Sequence, residues 1–296
     1  MSDLTADYLA LRREAGAVPL ARDVLRASGP DSLSFLQGQL SQDVNLGVGA
    51  SAWALLLQPQ GKMVARLRVT READESFLLD TDAGWGATVA ERLNRFKLRV
   101  RCDLEPLDWR AVAIRGPAAH DVANSGRGLA VPADWPGLPG VDLLGESPEP
   151  PAGVRVCSTE ALEAVRIEAG VPKMGQEIDE RTIPAEAGVV EQSVSFTKGC
   201  YVGQELVARI DSRGGNVPRH LRGVVVGTNV IPPVGARVRV DGKDTGTVTS
   251  VAESLDRRAP VALAYVGRAV TPPQDAELAW DGGSAPARVE ALPLVS

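Results

Sequence analysis

Lys198-Gly199-Cys200-Tyr201-Val202-Gly203-Gln204-Glu205 is the most informative stretch of this 296-residue chain. A Cys-Tyr pair follows a lysine directly and is bracketed by two glycines, and a short helix is predicted from Gln204 to Ile210, ending before Gly214-Gly215. Glycine permits a positive φ or a close backbone approach. A helix start at Gly203 would offer free N–H groups and positive potential to an anion or a thiolate. Lys198 would also favour thiolate at Cys200. The same residues read equally as a tight turn around a small buried thiol. Spacing alone leaves both readings open.

Outward from this stretch, the preceding chain reads as a mixed α and β body. Leu33, Leu36, Leu40 and Val44 share one helical face, with Pro30 and Asp31 at its start and Gly47 at its stop. Trp53 to Leu57 and Met63 to Val69 flank Pro59-Gln60-Gly61 and predict a hairpin. Phe77 to Leu79 is a third strand, followed by a helix with Val89, Leu93 and Phe96 inward. Leu98, Val100, Cys102 and Leu104 then alternate as a strand that turns Cys102 to a core. Arg110 to Arg115 is another strand. Residues 124–153, rich in Gly and Pro, predict loops around one short strand, Val141 to Leu144. Ser158 is an N-cap for a helix with Leu162 and Val165 inward. From about residue 220 the texture changes to short strands separated by Asp241-Gly242, Asp256-Arg257 and Asp281-Gly282, the pattern of a small barrel or sandwich.

Composition narrows the function classes. The net charge of −6 disfavours a surface given over to nucleic acid. Cys102, Cys157 and Cys200 form no CxxC pair, and with only His120 and His220 beside them no metal site is expected. The odd thiol count fits a reducing cytoplasm. The first residues lack a signal core or an amphipathic presequence, and no apolar run reaches the roughly 20 residues of a membrane span. There is no GxSxG, HExxH or GxGxxG, and Gly61-Lys62 lacks the remainder of a P-loop.

The stretch from Lys198 to Glu205 resembles the hallmark of the YgfZ family, folate-binding relatives of the glycine-cleavage T-protein, an aminomethyltransferase. Other segments resemble the family in order: Phe35 to Leu40 with Asp43-Val44, Gly61-Lys62-Met63, Arg166 to Gly170, Pro184 to Gly188, Gly246 to Ser250, and Ala262 to Tyr265. The resemblance implies an α+β fold arranged as a three-lobed ring. Two interleaved α+β subdomains would fill residues 1–218, and a C-terminal β-barrel would fill 219–296, around a central site for tetrahydrofolate or a one-carbon derivative. It also implies an accessory role in iron–sulfur cluster assembly and repair and in tRNA modification, with folate-dependent one-carbon transfer as the alternative. The transferases it resembles carry an acidic pair in the second hairpin strand, where Ala65 and Arg66 stand here, and no acid lies between Lys62 and Val69. Neither residue can serve as a carboxylate base, so aminomethyl transfer of the usual kind is not expected.

The resemblance also places site residues. Glu168 is expected to meet the pterin's donor edge with two parallel hydrogen bonds. Tyr201, Arg209, Arg213 and Arg219 are the remaining folate candidates. With Arg222 these arginines form a basic cluster suited to folate carboxylates, or a solvated helix face. Leu162 stands where some relatives place a Trp, so indole stacking there is absent. Cys200 is expected to be the reactive thiol, assisted by Lys198. Cys102 should be protected and Cys157 partly exposed, while Glu186 and Glu205 are expected to cap backbone near Gly188 and Gly203. Expected partners are folate and iron–sulfur client or assembly proteins. Neither membrane nor nucleic acid is expected, and the chain should be a cytoplasmic monomer.

Overall fold

The computed structural model describes residues 3–295. Two five-stranded sheets make the α+β body. One is ordered β3 (Ser51–Leu57), β4 (Met63–Ala73), β5 (Ser76–Asp82), β2 (Arg22–Ser28), β6 (Asp103–Leu107). The other is ordered β10 (Arg155–Val156), β1 (Gly16–Leu20), β7 (Arg110–Arg115), β9 (Gly140–Glu149), β8 (Arg127–Pro132). Because β1 belongs to the second sheet and β2–β6 to the first, the two sheets are interleaved along the chain. Helices α1 (Leu4–Arg13), α2 (Ser32–Gln39), α3 (Gly86–Arg95), α4 (Ala119–Ala123), α5 (Thr159–Ala169), α6 (Val190–Ser193) and α7 (Gln204–Asp211) complete the body. A closed six-stranded barrel follows, ordered β11 (Arg219–Val226), β14 (Ala259–Gly267), β13 (Lys243–Ser254), β12 (Arg237–Val240), β15 (Gln274–Trp280), β16 (Gly283–Glu290).

Strand β4 shows why the first sheet is buried on both faces. Ala65, Leu67 and Val69 enter the main core, which also holds Leu36, Leu40 and Leu56. Alternation sends Arg66 and Arg68 to the opposite face, where both are again buried. Arg68 is 1% exposed. Its Nε and Nη2 donate to Asp80 of β5 at 3.0 Å each, its Nη1 donates to the Pro132 carbonyl, and the same Nη1 lies 3.0 Å from Asp142 Oδ2 of β9. One guanidinium thus joins the two sheets.

Helix α5 ties the body to the rest. Ser158 caps it, accepting from Ala161 N–H at 3.3 Å. Arg166 donates to Glu163, to Glu177 and to Ser250 of the barrel, and Tyr265 of the barrel donates to the Glu177 carbonyl.

Several local expectations are corrected. Helix α2 stops at Gln39, because Leu40 turns extended to bridge Leu56, so Val44 is buried outside the helix. Phe96 and Leu98 are exposed, and the strand begins only at Asp103. Within residues 124–153 the expected strand at Val141 to Leu144 extends over all of β9 and pairs with a second strand, β8, since a register shift beside Gly128 and the edge position of β8 absorb the glycines and prolines.

Replacing Arg68 with Met should lower the unfolding free energy by about 3 kcal/mol or more, since it strips a shared partner from two buried carboxylates. Urea denaturation followed by circular dichroism checks this, and an unchanged midpoint would show that the sheets are held some other way.

Candidate functional site

A cavity of about 900 Å³ lies where the two sheets meet the barrel. The first sheet contributes Arg22, Trp53, Arg66 and Asp82 to its wall, and the second Arg115 and Asp142. Loops add Trp135 and Met174, α6 adds Gln192, and the barrel adds Val251 and Ala252. The floor is a packed charge network. Arg22 donates to Asp80 and Asp82 at 2.8 Å each. Arg115 Nη2 pairs with Asp142 Oδ1 at 2.9 Å, while Arg68 holds the other oxygen of the same carboxylate. Burial works to raise the pKa of Asp142, but Arg115, Arg68 and Arg22 outweigh it and leave it lowered. The Trp53 ring carries three guanidiniums, Arg66 at 4.3 Å, Arg68 at 5.4 Å and Arg22 at 5.7 Å from its centroid.

None of the five residues expected to hold folate lines this cavity. Glu168 is fully buried beneath α1, where Tyr8 Oη donates to Oε1 at 2.6 Å and Arg12 donates to Oε2. Its carboxylate is already satisfied by the fold. Tyr201 sits in the main core. Arg209 and Arg213 are exposed at the end of α7 and beyond it. Arg219 pairs with Glu186 at 3.1 Å and stacks on Tyr265, which fixes it at the body–barrel junction.

The stretch around Cys200 is a clamp. Lys198 Nζ donates to the carbonyls of Gln37 and Leu40 at 2.6 Å and of Gln42 at 3.1 Å, closing the C-terminal end of α2. All three of its N–H donors are therefore engaged on backbone, and none is left to donate to the thiol. Gly203 takes φ +85°, and a Cβ there would stand 2.5 Å from the Gln58 carbonyl of the β3–β4 turn. Gly61 faces it under the same constraint, its own Cβ position lying 3.0 Å from Gly203 O. Lys198, Tyr201 and Gly203 thus pin the segment to α2 and the hairpin, and Cys200 remains exposed on that frame. Cys102 and Cys157 are buried. Cys157 was expected to be partly exposed. It packs instead against Gly16 and Leu11 behind β1.

Apart from Arg66, which with Leu162 marks a departure from the resembled relatives, the wall residues named above are not singled out by the family motifs. Their signal is charge inside apolar strands: Arg66 and Arg68 within Met63 to Val69, and Asp142 within Val141 to Leu144. A charged residue in such a strand is rarely buried without a partner or a function.

Residues 4–131 match the GCVT N-terminal domain, and residues 219–296 match the glycine cleavage T-protein C-terminal barrel domain. The chain belongs to this GcvT-like family. An aminomethyltransferase of Streptomyces avermitilis is 27% identical over 97% of this chain and 88% of its own length. A mitochondrial iron–sulfur cluster assembly factor IBA57 homolog of Neurospora crassa is 30% identical over 66% of this chain and 50% of its own. The solved glycine cleavage system aminomethyltransferase T of Bartonella henselae shares the fold, with a TM-score of 0.85 and 22% identity over 99% of this chain and 89% of that one. Among the described residues, no helix is long and apolar enough to cross a membrane.

Burial raises the pKa of Cys102, and burial with Asp7 nearby pushes Cys157 up to about 11. Both stay protonated and shielded at neutral pH. Iodoacetamide at pH 7.5 should therefore label Cys200 first in the native protein, with Cys102 and Cys157 labelled only after denaturation. Peptide mass spectrometry reads the order. If Cys200 proves the slowest of the three, the exposed placement is refuted.

Proposed function

We propose that this chain is a YgfZ-like, tetrahydrofolate-binding accessory protein that supports iron–sulfur cluster assembly and the enzymes that depend on it, tRNA-modifying ones included. Relatives bearing the names of iron–sulfur assembly factors support the process. The central cavity supports the ligand. Trp53, Trp135 and Met174 give it apolar walls, and Asp142 of the wall would accept from a pterin's donor edge while keeping its pairs with Arg68 and Arg115. Reduced folate, when bound, would supply a one-carbon carrier. The residues of this chain would bind it and hold it away from water.

The observation that carries the choice against the second reading, a folate-dependent aminomethyltransferase, is the cavity floor. Its carboxylates Asp80, Asp82 and Asp142 are all held by guanidiniums, and Arg66 stands among them. No carboxylate there is free to act as a general base. The second reading keeps the support of aminomethyltransferases that align along nearly the whole chain.

Cys200 is the surface through which the accessory role would act. With Cys102 and Cys157 buried, one chain cannot close a four-thiolate cluster site around it. Any cluster touched by Cys200 would draw its other ligands from a client or assembly protein.

Two outcomes test the proposal. Tetrahydrofolate should bind the purified protein, and Asp142→Asn should weaken binding by about 1.5–3 kcal/mol, since it replaces an acceptor with a donor at the pterin edge. Parent-like affinity in a folded Asp142→Asn protein removes Asp142 from the site. Cys200→Ser should fold and bind folate normally yet fail to restore iron–sulfur enzyme activity in cells lacking the chain, and the protein should show no glycine-cleavage aminomethyl transfer when partner proteins are supplied. Full restoration by Cys200→Ser, or turnover like that of a genuine T-protein, would reverse the assignment.

A further inference from the structure

Arg66 is the one arginine of the cavity wall that no carboxylate touches among the described residues. Arg22, Arg115 and Arg166 each have one or more. The Arg66 side chain is 8% exposed. Its Nη2 donates to Gln192 Oε1 at 3.1 Å, its Nε has no partner, and its guanidinium carbon lies over the Trp53 ring, 4.3 Å from the centroid. Burial and the nearby charges of Arg22 and Arg68, opposed by Asp82, lower its pKa to about 10, which still leaves a cation at neutral pH.

A buried cation without a counter-charge is costly. The aromatic face offsets part of that cost but neutralises nothing. Floor composition makes the imbalance specific: four guanidiniums, Arg22, Arg66, Arg68 and Arg115, meet three carboxylates, Asp80, Asp82 and Asp142. The missing charge is one anion, at the guanidinium that borders the cavity. A planar guanidinium with free donors matches a carboxylate better than any other common anion short of phosphate. A protonated amine would be repelled from the same point by Arg66, Arg22 and Arg68.

We propose that Arg66 is an anion subsite of the central cavity that pairs with a carboxylate of whatever is bound there. This deepens the folate reading and rests on the cavity being a ligand site. The carboxylate has two possible sources, the glutamate tail of a folate or a free small carboxylic acid bound beside it.

Calorimetric titration of the full chain separates them, using tetrahydrofolate, 6-methyltetrahydropterin (which has the pterin but no carboxylate) and acetate as probes. If the tail is the source, Arg66→Gln loses roughly ten-fold or more in tetrahydrofolate affinity and nothing for the methylpterin. If a free acid is the source, Arg66→Gln keeps tetrahydrofolate affinity and loses acetate. Should Arg66→Gln not fold, Arg66→Met keeps the stem on Trp53 and gives the same readout. Binding of all three probes by the variant within about two-fold of the parent overturns the proposal, as does a parent that binds no carboxylate probe. If the parent binds neither pterin compound but binds acetate through Arg66, the folate reading falls and the anion subsite stands.

Discussion

The guanidinium of Arg68 touches both halves of the α+β body at once, Asp80 in one sheet and Asp142 in the other. Its place follows from alternation along β4, which sends Leu67 and Val69 into the main core and Arg68 to the face where the second sheet arrives. A fully buried cation there demands paired oxygens, and the chain supplies them from strands far apart in sequence. Arg22 and Arg115 extend the network, and the cavity is the space left above it. Ion pairing between the sheets and the shape of the candidate site are therefore one arrangement. A change in one should move the other.

The segments that make the family resemblance so legible turn out to be mainly devices of assembly. Arg166 fastens the barrel and Glu168 fastens α1. Lys198, Tyr201 and Gly203 lock a surface segment onto α2 and the hairpin. Cys200 is the exposed exception within that frame. A rigid support for one accessible thiol suits a protein that meets a partner at a fixed point. The cavity, facing another part of the molecule, suits a small ligand.

How much could be read from the sequence follows from the range of the forces involved. Hairpin β3–β4, the cap at Ser158, the helix starting at Gln204 and the all-β character of the C-terminal module were legible, because turn chemistry and periodicity act over a few residues. That the folate candidates lie away from the cavity was not legible, because burial and pairing are long-range. Nothing near Glu168 in the chain announces that Tyr8 and Arg12 lie against it. Conversely, Asp142 was hidden inside a run read only as a strand, and its partners Arg68 and Arg115 come from two other strands. The substitution at Ala65 and Arg66 was visible, but its consequence, an unpaired guanidinium on an indole face, needed the three-dimensional neighbours.

The central claim is that the ligand site is the cavity between the sheets rather than the basic cluster beyond α7. Hydrogen–deuterium exchange with and without tetrahydrofolate tests it most directly. The account predicts slowed exchange in peptides covering residues 63–70 and 132–144, with residues 204–222 unchanged. Protection confined to 204–222, or none anywhere at saturating ligand, would contradict it.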